Sequence, residues 1–96
     1  MIYDLLPTGK ENAISKEELM RVTGYKESRN LHEQIERERL SGAIILSSTK
    51  GGYFKSESPD DIKGWAMPVL SRGKKTMQIA KLALQGLNVP EGQMEL

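Results

Sequence analysis

The chain contains no cysteine, so it has no disulfide, no thiolate metal site and no cysteine nucleophile, and packing alone must hold it together. A single histidine, His32, leaves no second imidazole or thiolate to complete a metal site, so no cofactor is expected. Long hydrophobic runs are absent too. The longest, Ala43 to Leu46, is far short of the roughly 20 residues that span a bilayer. The start of the chain lacks the basic region and apolar stretch of an export signal. These absences set the expectation of a cytoplasmic protein with no membrane partner. No internal repeat or low-complexity stretch is present.

What is there fits one small core. The 96 residues are 38% hydrophobic and 28% charged, enough apolar content for a modest domain and too balanced for a one-signed disordered tail. Fourteen basic and thirteen acidic groups give a net charge of +1. Their distribution is uneven: residues 1–48 hold 7 basic and 8 acidic groups, and residues 49–87 hold 7 and 3. The second half can therefore attract a phosphate backbone, although such imbalance is common in soluble proteins.

Met1 to Leu6 is a short apolar piece, fit for about one helical turn of packing before Pro7-Thr8-Gly9 breaks it. Ser15 followed by Glu18 reads as a capping box, Leu19 and Val22 recur at helical spacing, and Gly24 suits a left-handed stop. This predicts an extended Ala13-Ile14 and then a helix over Lys16 to Thr23. A second helix is predicted from Glu27 or Ser28 to Leu40, with Leu31 and Ile35 inward and Gly42 as its stop. Ala43-Ile44-Ile45-Leu46, a polar turn with Gly51-Gly52, and Tyr53-Phe54 form a hairpin signature, the glycine pair supplying positive backbone angles. Ser58, Pro59, Asp60 and Asp61 then open a last helix. Gly64, Pro68 and Gly73 argue for interruption. Yet Ile62, Ala66, Val69, Gly73, Thr76, Ala80, Ala83 and Leu87 keep one phase, and a single, kinked helix is predicted.

Short helix, strand, helix, turn, helix, hairpin and long helix is the order of a winged helix-turn-helix. The expected fold class is mainly α with a small β-hairpin: a winged helix-turn-helix over residues 1–58, a long C-terminal helix over 59–87 and a flexible tail over 88–96. Thr23-Gly24, Ser28-Arg29, Leu31, Ile35 and Gly42 resemble the punctuation of small bacterial winged-helix DNA-binding proteins. Leu6-Pro7-Thr8-Gly9, Glu11-Asn12-Ala13-Ile14, Ser28-x-x-Leu31-x-x-x-Ile35-Glu36-x-Glu38-Arg39 and Gly51-Gly52-Tyr53-Phe54 are similar to a family of short proteins from phages and prophages of Gram-positive bacteria. The resemblance covers about residues 2–87 and rests on punctuation and core positions, which speak to fold more than to activity.

The resemblance implies that residues 28–40 are a recognition helix for the major groove of double-stranded DNA and that residues 43–55 are a wing. With Leu31 and Ile35 inward, the outer face carries Lys26, Arg29, Glu33, Glu36 and Arg37, flanked by Ser28, Asn30 and His32. Arg29 suits guanine, Asn30 suits adenine, and Lys50 and Lys55 suit phosphates. A plainer account fits the same residues. Arg29, Glu33 and Arg37 at successive spacings of four also make a solvated ladder of ion pairs, and two glutamates on that face repel phosphate. Lys50 also suits a soluble turn and His32 an ordinary surface position, and Arg72-Gly73-Lys74-Lys75 suits either a contact to the DNA backbone or a solubilising cluster. A protein-interaction module on the same fold stays open as the alternative.

The last helix, about 40 Å long if it runs from Asp60 to Gln85, exceeds the domain it covers. Part of its stripe then needs another partner. A homodimer through Met77, Ala80, Leu84 and Leu87 is expected, the competing arrangement being a break at Gly73 that folds the end back. Enzymatic signals are weak. Thr8-Gly9-Lys10 lacks the earlier glycine of a phosphate-binding loop and has Glu11 where a hydroxyl must hold magnesium. Asp60 and Asp61 diverge by about 100 degrees on a helix and serve its cap. The lone histidine lacks an orienting carboxylate, so no hydrolase triad is supported and no catalytic residue is expected.

Overall fold

A computed structural model describes residues 1–87. The chain divides into two units, Met1–Trp65 and a second beginning at Ala66. The division falls inside the last helix rather than at Ser58, so the first two turns of that helix belong to the first unit. The tail expected over 88–96 lies outside the described residues.

In the first unit local chemistry sets each boundary. A 3-10 turn, Ile2–Leu5, leads to Pro7, and a second covers Lys10–Asn12. Strand β1 is Ile14–Ser15. Helix α1, Lys16–Thr23, starts where the Ser15 hydroxyl accepts the Glu18 N–H at 3.1 Å. It ends at Gly24, whose φ of 83° lets its N–H reach the Met20 carbonyl. Only the serine half of the expected capping box forms, because the Glu18 carboxylate turns to Arg21 instead. Helix α2, Ser28–Leu40, follows the turn and stops before Gly42, which takes a φ of 107°.

Strands β2, Leu46–Ser47, and β3, Gly52–Phe54, form the hairpin. β3 is central: β1 and β2 both pair with it antiparallel, Ile14 opposite Tyr53 and Leu46 opposite Phe54. The first hairpin arm is shorter than the apolar run suggests. The Ile45 N–H bonds to Ala43 two residues back, at 3.1 Å, and the Ile45 carbonyl accepts from Arg39 Nε at 2.9 Å. Both groups are spent before a ladder can use them, so Ala43 to Ile45 is not strand.

The glycine pair also divides its labour. Gly51 supplies the positive φ, 92°, that the turn needs. Gly52 does not have a positive φ. It sits buried in β3, where an added Cβ would lie 3.0 Å from the Ile14 carbonyl oxygen and 3.1 Å from the Ala13 Cβ. One glycine bends the chain, and the other lets β1 approach.

Leu19 of α1, Leu31 and Ile35 of α2, Ile2, Leu6 and Ile45 form the core, and Leu46 and Phe54 are buried as well. Each such side chain contributes about 1.5–3 kcal/mol relative to exposure. Glu38 is buried among them at 3% exposure. Its carboxylate accepts the backbone N–H groups of Ile2 and Tyr3, each at 2.9 Å, and the Gln34 side-chain amide at 2.8 Å. Thus α2 clamps the start of the chain to the core.

Helix α3, Pro59–Gly86, begins with the Ser58 carbonyl accepting from Ile62 and the Ser58 hydroxyl accepting a long 3.4 Å bond from Asp61. It continues through Pro68 and Gly73 without a break. Trp65, at the end of the first unit, carries the Arg39 guanidinium 4.5 Å above its ring. In the second unit none of the described residues is buried, and Met67, Ile79, Leu82 and Leu87 are all more than half exposed. Among the described residues, no helix is long and apolar enough to cross a membrane.

Candidate functional site

Helix α2 has two faces with different duties. Leu31, Ile35 and Glu38, at spacings of four and three, face the core. The opposite side keeps Lys26, Arg29, Asn30, His32, Glu33, Glu36 and Arg37 exposed, and Ser28, at the first helical position, is half-buried. This wet face is held in place from behind. Glu38 ties α2 to the start of the chain, and Arg39 ties it to the hairpin through the Ile45 carbonyl and, at 3.0 Å, the Ser47 hydroxyl. Burial opposes ionisation of Glu38, but hydrogen bonds from Gln34 and from the Tyr3 and Ile2 backbone outweigh it and hold the carboxyl below its ordinary value. Burial likewise lowers the Arg39 guanidinium from its usual value.

On the outer face the charges are partly engaged with one another. Arg29 Nε lies 3.1 Å from the Glu33 carboxylate, and the Arg29 side chain is 83% exposed. Arg37 donates to the Gln34 side-chain amide oxygen at 3.0 Å rather than continuing the ladder to Glu33. Such exposed pairs are weak, about 0.3–0.5 kcal/mol, and a phosphate or base edge can replace them at low cost.

The two lysines expected on the hairpin part company. Lys50 is exposed in the turn, which is organised by the Ser48 hydroxyl accepting the N–H groups of Lys50 and Gly52 at 3.2 and 3.3 Å. Lys55 is drawn back: its ammonium sits 3.4 Å from the Tyr3 carbonyl oxygen and 4.7 Å above the Tyr3 ring. The parallel bridge between Thr8 and Lys55 fixes this, so Lys55 braces the first 3-10 turn and is not a free cation beside Lys50. Met77, Ala80 and Leu87 in the second unit are exposed, and Leu84 is half-buried.

Glu38, Arg39 and Lys10 have places in the fold that the sequence pattern did not assign to them. Glu38 carried a readable signal, a carboxylate seven residues after Leu31 on the inward stripe. Lys10 appeared only in the rejected loop Thr8-Gly9-Lys10, and its place beside one cleft with Lys50 depends on the order of the sheet. Among the described residues, no group of three or more His, Asp or Glu side chains is placed to hold a metal ion. Neither a family model, nor a curated protein, nor a solved structure matches the chain.

Proposed function

We propose that the first unit is a winged helix-turn-helix that binds duplex DNA without catalysis, with α2 as its reading element and the β2–β3 turn as its wing. The observation that carries this reading is the wet outer face of α2 in the same unit as an exposed hairpin turn bearing Lys50. The sheet order, in which the strand before α1 pairs with the second hairpin strand, supports it. A role as a regulator or accessory factor of a phage or mobile element follows from the resemblance of the motifs. Arg29, Asn30 and Arg37 are the candidate base or phosphate contacts, with Lys26, Ser28, His32 and Glu33 at the margins.

Titrating a mixed-sequence duplex at a series of salt concentrations tests the reading. Log affinity should fall linearly with log salt. Arg29→Ala should cost about 1–3 kcal/mol of specific binding, and Lys50→Ala should lower the salt slope by about one. Absence of binding at low salt by the folded protein refutes it. The Arg29–Glu33 ion pair favours a second reading in that event, a protein-interaction module using the same face.

The second unit is read as the element that joins two copies, through the sector of Met77, Ala80, Leu84 and Leu87. From Ala66 to Gly86 the helix has four basic and no acidic side chains, so two such segments side by side repel. Salt screens that repulsion. Association should therefore strengthen with salt while DNA binding weakens. A monomeric mass by light scattering at tens of micromolar refutes the dimer, and Leu84→Asp should dissociate it.

A further inference from the structure

Two segments distant in sequence meet in the first unit around an open cleft of about 440 Å³: the stretch from Lys10 and Glu11 of the second 3-10 turn to Ser15 at the β1–α1 junction, and Ser48 to Lys50 of the hairpin turn. The walls are rich in donors. Among the described residues, the Lys10 and Lys50 ammonium groups have neither an ion-pair nor a hydrogen-bond partner. The serine hydroxyls are polarised outward by use. Ser15 Oγ already accepts the Glu18 N–H, and Ser48 Oγ accepts two backbone N–H groups. Each hydroxyl keeps its O–H proton to offer a ligand. Thr49 adds a third hydroxyl. One carboxylate, Glu11, stands in the lining, packed over Gly9 so closely that its Oε1 lies 2.6 Å from where a Cβ on that glycine would sit.

A cleft whose lining carries two free ammonium groups and three hydroxyls against a single carboxylate is complementary to a compact oxyanion. We infer that it binds a phosphate group. In the duplex-binding reading above, on which the identity of the natural source rests, that group is a backbone phosphodiester flanking the one met by α2. Gly52, also in the lining, holds the cleft together through the close β1–β3 approach that fixes Ser15 opposite the turn. The hairpin turn thereby gains a partner in Lys10, some 40 residues earlier in the chain, and the pair of lysines can straddle one anion.

The full chain titrated with inorganic phosphate at constant ionic strength, followed by backbone amide shifts, tests the cleft independently of DNA. Saturable shifts confined to Lys10, Thr49, Lys50 and their neighbours, lost in the Lys10→Ala/Lys50→Ala double variant, are expected. Glu11→Gln should tighten phosphate by about fivefold through removal of one repulsion, and an unchanged affinity would place the anion elsewhere. Against duplex DNA, the double variant should reduce the salt slope by about two. Shifts spread over every lysine, or an unaltered slope in the double variant, would overturn the site while leaving recognition by α2 intact. Saturable phosphate binding with no duplex affinity at any salt would uphold the site, assign it to a small phosphate ligand, and remove the DNA reading instead.

Discussion

The two units spend their apolar residues in opposite ways. In Met1–Trp65, Leu19, Leu31, Ile45 and Leu46 are fully buried and even a carboxylate, Glu38, is sealed in with its hydrogen-bond partners. Beyond Ala66 none of the described side chains is buried, and Met67, Leu70, Ile79 and Leu82 are each more than half exposed. The same residue types therefore stabilise one unit by packing and the other only by helix formation. A helix alone gains little from its apolar side chains until something covers them. The contrast separates what holds the chain folded from what is left over for partners.

The comparison breaks most readily at the core. Leu19→Ala should cost about 2–5 kcal/mol by chemical denaturation, whereas Ile79→Ala should stay within about 0.5 kcal/mol. Similar losses from both would mean that the second unit is as tightly packed as the first.

Next in size is Glu38. Glu38→Ala strands the Ile2 and Tyr3 N–H groups and should destabilise by about 1–3 kcal/mol. Because its carboxyl titrates lower in the folded chain than its ordinary value of 4.5, the ionised form stabilises the fold. That contribution is complete above about pH 4.5 and is lost as pH falls from there through the lowered folded value. Acid titration of Glu38→Gln should show a flatter loss of stability in that window, and an unchanged slope would assign the acid sensitivity to other carboxyls.

The glycines sharpen the contrast further. Gly52→Ala pushes against the Ile14 carbonyl and should cost about 1–3 kcal/mol, read as a lower thermal midpoint. Gly73→Ala meets nothing within 4 Å and should instead stabilise the helix by about 0.5–1 kcal/mol. If Gly73→Ala lowers the dimer mass without harming the fold, a second copy occupies the space at that glycine.

The smallest effect belongs to the outer face of α2. Arg29→Ala should change stability by less than about 0.5 kcal/mol, since its pair with Glu33 is exposed. A larger loss would give Arg29 a structural duty and weaken its candidacy as a contact.

Much of the first unit was legible along the chain because its signals are local. Ser15 and Gly24 bound α1 through groups within four residues, and Leu31 and Ile35 show which side of α2 turns inward. The long phase from Ile62 to Leu87 outweighs Pro68, since a helix can forgo one N–H more cheaply than it can abandon a register. The candidate site was only partly legible. Exposure of Arg29, Asn30 and Arg37 follows from the helical period. The withdrawal of Lys55 toward Tyr3 and the placing of Lys10 and Lys50 around one cleft do not, for both depend on pairings between segments far apart in sequence.

Caps, stops and helical faces were thus settled by the residues themselves, because a hydroxyl, a left-handed glycine or a period of 3.6 acts within one or two turns. Tertiary structure alone decided which groups satisfy the inward carboxylate of Glu38 and the division of labour between Gly51 and Gly52. In both cases a backbone group from elsewhere in the fold, the N–H groups of Ile2 and Tyr3 or the carbonyl of Ile14, meets the position, and no local pattern encodes a group that arrives through space.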